Sequence, residues 1–128
     1  MNLMWQNILA VGAGGFIGAS VRFYVNVIIT RSFPYEIPLA TLSVNVVGSF
    51  TIGLLTAIFF HFTPSEWLRL FIITGFLGGL TTYSAFAIET MLLLNSSFWT
   101  GILNIALNLF GSIIAVFFGY KLMLYLLR

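Results

Sequence analysis

Gly75-Phe76-Leu77-Gly78-Gly79-Leu80-Thr81-Thr82-Tyr83-Ser84-Ala85-Phe86 lies in the middle of an otherwise apolar segment. Its flanks, Leu70 to Ile73 and Ala87 to Leu94, read as membrane helix; its centre does not. Adjacent glycines carry a large backbone entropy cost in a helix and leave the chain unshielded. Thr81, Thr82 and Ser84 follow at once, and short hydroxyl side chains compete for backbone hydrogen bonds or cap a new helix. The stretch predicts a helix that breaks near Gly78 and restarts near Thr82, at mid-membrane depth. Non-helical backbone is tolerated there only where it is buried in protein or lines a cavity or ion site. The break is therefore expected to be the working part.

The rest of the chain supports a membrane setting. Of its 128 residues 60% are hydrophobic and only 6% charged, with a mean hydropathy of +1.09. A soluble domain of this length needs a polar surface that such a composition cannot supply. The net charge of +2 is too small and too scattered for nucleic-acid binding. No cysteine is present, which excludes disulfides and thiolate metal sites. The N-terminal run Met1-Asn2-Leu3-Met4-Trp5-Gln6 lacks a basic region and a convincing cleavage site, so the first apolar segment reads as a retained span.

Crossing the hydrocarbon core takes about 20 mostly apolar residues. On that measure the spans fall at about 3–29, 39–61, 68–94 and 98–120, giving an all-α membrane protein of one domain over 1–128. Residues 31–38, with two prolines and two charges, read as a short interfacial loop. Thr63-Pro64-Ser65-Glu66 ends the second span and reads as a helix start capped by the threonine. Connections this short predict antiparallel packing of consecutive spans. Arg69, Lys121 and Arg128 fall on one side, Arg31 and the nearby Arg22 towards the other. So even a balance barely fixes orientation. It permits insertion both ways, hence an antiparallel homodimer, and supports a single orientation equally well.

Polar residues within the spans form three groups. Gly14 and Gly18 make a G-x-x-x-G pair suited to close helix approach. Arg22 either snorkels to the headgroups or attracts anions at a water-filled mouth. Thr41, Asn45 and Ser49, and again Asn104, Asn108 and Ser112, recur at i, i+4, i+8 and so share a helix face. Such stripes glue helices or line a hydrated path; two of them beside a broken helix favour the path. Asn45 is the first candidate, because its NH₂ group can donate to an anion. Tyr83 and Phe86 share a face of the restarted helix, and their positive ring edges can meet a small anion. Glu89, the one carboxylate well inside a span, marks a proton or cation site or, nearer the span's end, a vestibule. Gly78 and Thr81 carbonyls, deprived of helical partners by the break, can hold a hard monovalent cation such as Na⁺. His61, the sole histidine, has no evident catalytic partner, and no enzyme is expected.

These residues resemble the CrcB/Fluc fluoride channels of bacteria over nearly the whole chain. The likeness is carried by the segments Gly14 to Arg22, Thr41 to Phe50, Gly75 to Phe86 and Asn108 to Ser112, the third being the most specific. It implies a four-span, dual-topology antiparallel homodimer with two pores that exports fluoride passively across the cell inner membrane. It implies a structural Na⁺ at the dimer centre on the Gly78 and Thr81 carbonyls of both chains. It also implies a fluoride pathway along Asn45, Tyr83, Ser84 and Phe86, with Thr82 accessory. The chain departs from the family pattern in having Tyr83 for the first pore-facing phenylalanine and Ala85 for a hydroxyl residue. Arg22, Thr41, Glu89 and Asn108 are left as vestibular or accessory candidates. Two other readings stand beside this one: a proton-coupled small four-span exporter, and a non-transporting assembly subunit whose polar stripes are only glue.

Overall fold

The computed structural model describes residues 2–128; Met1 lies outside the described residues. Those residues are helical throughout apart from short connections. We label the helices α1 (Leu3–Ser32), α2 (Leu39–Phe62), α3 (residues 66–80), α4 (Tyr83–Ser96) and α5 (Phe98–Leu126). α3 and α4 are the two arms of one interrupted span, so among the described residues four segments are long and apolar enough to cross a membrane.

Local chemistry sets the ends. Asn2 caps α1 by accepting from the Met4 N–H at 2.9 Å. α1 then runs straight through Arg22 and on to Ser32, a little beyond the predicted end; Arg31 in its last turn meets the negative end of the helix dipole. α2 stops at Thr63, which adopts the left-handed conformation (φ 41°) and precedes Pro64. The predicted threonine cap is therefore wrong. Ser65 caps α3, accepting from the Leu68 N–H at 3.3 Å, because Thr63 is already committed to ending α2. Ser97 alone separates α4 from α5.

The pairing of helices also corrects the expectation. α1 packs chiefly on α3, and α2 chiefly on α5, so the main partners are alternate rather than consecutive spans. Small residues explain this. A Cβ on Gly75 would lie 2.7 Å from the Val11 carbonyl oxygen, and one on Gly79 would lie 2.6 Å from that of Gly15. A Cβ on Gly14 or Gly18 would run into the Phe71 or Phe76 carbonyl. Partner numbers rise together along this seam, so α1 and α3 run parallel. Gly53 and Gly119 play the same part between α2 and α5, against the Val116 and Phe50 carbonyls.

The break falls inside the predicted window but not at its glycines. Gly78, Gly79 and Leu80 remain helical, and the chain leaves the helix at Thr81 (ψ 155°) and Thr82 (φ −149°, ψ 119°). Gly79 serves the α1 seam instead, while Gly78 is exposed and a Cβ there would meet no atom of α1. Within α3, Leu70–Leu77 is π-helical, a wider winding that the sequence reading did not foresee.

Candidate functional site

The break leaves the Thr82 peptide extended in the middle of a span. Asn45 on α2 receives it as a neighbouring strand would. The Thr82 N–H donates to Asn45 Oδ1 at 2.8 Å, and Asn45 Nδ2 donates back to the Thr82 carbonyl at 3.0 Å. The second amide hydrogen goes to Asn108 Oδ1 on α5 at 3.1 Å. Both donors of Asn45 are thus engaged within the chain, so an anion beside it competes with these partners. Thr82 also caps α4, its Oγ1 accepting from the Ala85 N–H at 3.2 Å and lying 3.4 Å from Ser84 Oγ. Thr82 is thereby held by side chain and backbone together.

These bonds change the carbonyls before the break. In an unbroken helix Gly78 O would receive the Thr82 N–H and Thr81 O the Ala85 N–H. Those donors turn to Asn45 and to the Thr82 hydroxyl. Gly79 O is taken by Arg22, whose Nε donates to it at 2.9 Å. A guanidinium at the C-terminal end of α3 is favoured by the helix dipole. Arg22 therefore does what neither sequence reading proposed: it caps α3 from inside the protein.

Two cavities flank the break. The larger, about 710 Å³, has Gly78, Thr81, Tyr83, Phe86, Asn45 and Asn108 in its wall. Tyr83 is 80% exposed there, its ring T-shaped to Phe86 with centroids 5.5 Å apart. The smaller cavity, about 340 Å³, brings together Arg22, Thr41 and Glu89. Thr41 donates to Glu89 Oε1 at 2.7 Å, while Oε2 is buried with no partner among the described residues. Thr82 lines both cavities. Ser84, in contrast, is exposed at the start of α4 and lines neither.

Sequence reading named Asn104 only as part of a stripe and passed over Thr90. Asn104 is fully buried and donates to Thr90 Oγ1 at 3.0 Å. The available signal was spacing: Thr82, Phe86 and Thr90 stand at i, i+4, i+8 on one face of α4.

A helix interrupted at mid-span, its freed peptide clamped by a half-buried amide between two cavities, defines a small polytopic membrane protein organised around a polar break. Residues 9–120 match the family model described as CrcB-like protein, Camphor Resistance (CrcB), and the chain belongs to that family. It is similar to the fluoride-specific ion channel FluC of Sulfurimonas denitrificans, at 50% identity over 98% of this chain and 99% of the relative. Proteins of the same name from a Sulfurovum species (43% identity, covering 90% of this chain and 91% of the relative) and from Campylobacter fetus (42%, covering 92% and 94%) are similar too. These relatives are named as channels, not enzymes.

Proposed function

We propose that this chain is a fluoride-selective passive channel of the cell inner membrane, working as an antiparallel, dual-topology homodimer and exporting F⁻ from the cytoplasm. The observation that carries the reading is the break itself: hydrogen-bonding groups and ring edges concentrated in an otherwise apolar span, with a cavity on either side. A small, strongly hydrated anion loses its water shell in such a place only against a few fixed donors and positive edges. The names of the relatives supply the choice of fluoride.

A second copy is part of the proposal because the larger cavity opens at the surface of one chain, with Tyr83 and Gly78 exposed beside it. The near-balanced charge permits insertion both ways. A structural Na⁺ also belongs to it. The Gly78 and Thr81 carbonyls, whose helical donors are diverted, fit a hard monovalent cation, and those of both copies would hold it; bound there, it supplies charge that ties two breaks together. In the ion path we place Asn45, Tyr83, Ser84 and Phe86, with Thr82 accessory. Arg22, Thr41 and Glu89 then form a vestibule. Because Asn45 is already bonded, its part is to hold the path's wall as much as to meet the ion.

The test is ion efflux from liposomes loaded with KF or KCl, with valinomycin present and ion-selective electrodes outside. Rapid F⁻ release with little Cl⁻ release is expected. Folded protein that releases no F⁻ in Na⁺ buffer refutes the proposal, and release tied to proton movement would favour the exporter.

A further inference from the structure

We infer that Asn104 and Thr90 are positioning residues for the break. With Asn45 and Asn108 they form a one-directional run of hydrogen bonds that starts at the Thr82 peptide and returns to the same arm two turns later. The run is Thr82 N–H to Asn45 Oδ1, Asn45 Nδ2 to Asn108 Oδ1, Asn108 Nδ2 to Asn104 Oδ1 at 3.2 Å, and Asn104 Nδ2 to Thr90 Oγ1. Asn108 Nδ2 also reaches the Asn104 carbonyl at 3.1 Å.

The direction is dictated by the backbone. A peptide N–H only donates and its C=O only accepts, so the paired bonds to Thr82 leave Asn45 one orientation. That orientation presents a hydrogen to Asn108, which must answer with oxygen and turn its NH₂ to Asn104. Asn104 must in turn answer with oxygen and direct its own NH₂ at Thr90. Reversing any amide sets donor against donor or acceptor against acceptor. Asn104, Asn108 and Thr90 are all buried, and Asn104, at 0% exposure and outside both cavities, has no water at hand to replace a lost partner.

Both ends of the run lie on the restarted arm, Thr82 at its cap and Thr90 two turns on, while the middle crosses α2 and α5. It therefore fixes the rotation and height of α4, the arm that carries Tyr83 and Phe86 to one cavity and Glu89 to the other. Asn104 lines neither cavity and acts only through its neighbours.

For fluoride passage the inference rests on the reading above; for the geometry of the break it does not. Hydrogen exchange of the Thr82 N–H, read by NMR on the whole protein in bicelles, separates the two. In wild type this amide is expected to be as protected as helix interiors, although Thr82 is extended. Thr90→Val keeps the shape and removes the last acceptor; it is expected to speed Thr82 exchange about tenfold, with α1 amides unchanged, and to slow F⁻ efflux several-fold. Thr90→Ser, which keeps the oxygen, is expected to restore both within about twofold. An unprotected Thr82 in wild type, equal loosening of α1 and Thr82, or failure of serine to rescue would each overturn the inference. Wild type that passes no F⁻ while Thr82 behaves as expected would overturn the channel reading and support the brace.

Discussion

Replacing Gly18 by alanine tests the seam on which the broken span rests. An added Cβ would run into the Phe76 carbonyl oxygen and stand 2.9 Å from the Phe76 carbonyl carbon and 3.0 Å from the Leu80 nitrogen. Every obstacle is backbone, so no side-chain rotation relieves it and α1 must move off α3. Overpacking of this kind costs about 3 kcal/mol at the upper end of its usual range. The better helix propensity of alanine returns up to about 1 kcal/mol, leaving a net loss of about 2 kcal/mol. Gly12 supplies the control on the same helix: a Cβ there meets nothing within 4 Å. Gly12→Ala should therefore stabilise by about 0.5–1 kcal/mol. Reversible denaturation in detergent, followed by the fluorescence of Trp5, Trp67 and Trp99, measures both. If Gly18→Ala proves as stable as Gly12→Ala, the close approach of α1 and α3 is refuted.

Asn45→Ala strips partners from the Thr82 N–H, the Thr82 carbonyl and Asn108 Oδ1 at once. The same denaturation should record a loss of about 3 kcal/mol or more. Glu89→Gln keeps an acceptor for the Thr41 hydroxyl, so the variant should fold and still pass F⁻ in liposomes without moving protons. Loss of a proton-coupled flux in that variant would point to the exporter instead. Tyr83→Phe retains the T-shaped pair with Phe86 and should shift stability by less than about 0.5 kcal/mol in the denaturation assay, whereas Tyr83→Leu should lose about 0.5–1.5 kcal/mol.

The spans and the position of the break were legible because both follow from local chemistry. Uninterrupted apolar length marks a span, and the hydroxyl cluster at Thr81 and Thr82 marks where a new helix is capped. The part played by the glycines was not. Gly78 and Gly79 read as breakers, yet both stay helical; Gly79 is there because Gly15 on α1 leaves room for close backbone contact, a fact about a partner far away in the chain. The π-helical winding of Leu70–Leu77 left only a faint trace, the β-branched run Ile72, Ile73, Thr74, whose side chains crowd an ordinary helical turn. Asn45 reads from the sequence as a polar residue that needs partners and can donate to an anion; spacing alone could not tell that the Thr82 peptide would take its oxygen and one of its amide hydrogens. Arg22 illustrates the same limit, since its acceptor at Gly79 exists only once α1 and α3 have met.

Alternate pairing of the spans bears on how the protein is made. A chain leaving the ribosome delivers α1 first and α2 next, yet the main partner of α1 is α3 and that of α2 is α5. The first hairpin must therefore wait in the bilayer with its glycine faces against lipid until the later spans arrive. Biogenesis then has a late, cooperative step in which two parallel pairs close together, and Asn45 reaches the Thr82 peptide only at that moment. Nascent chains arrested after α2 should stay open to lipid and to membrane proteases, and those released after α5 should not.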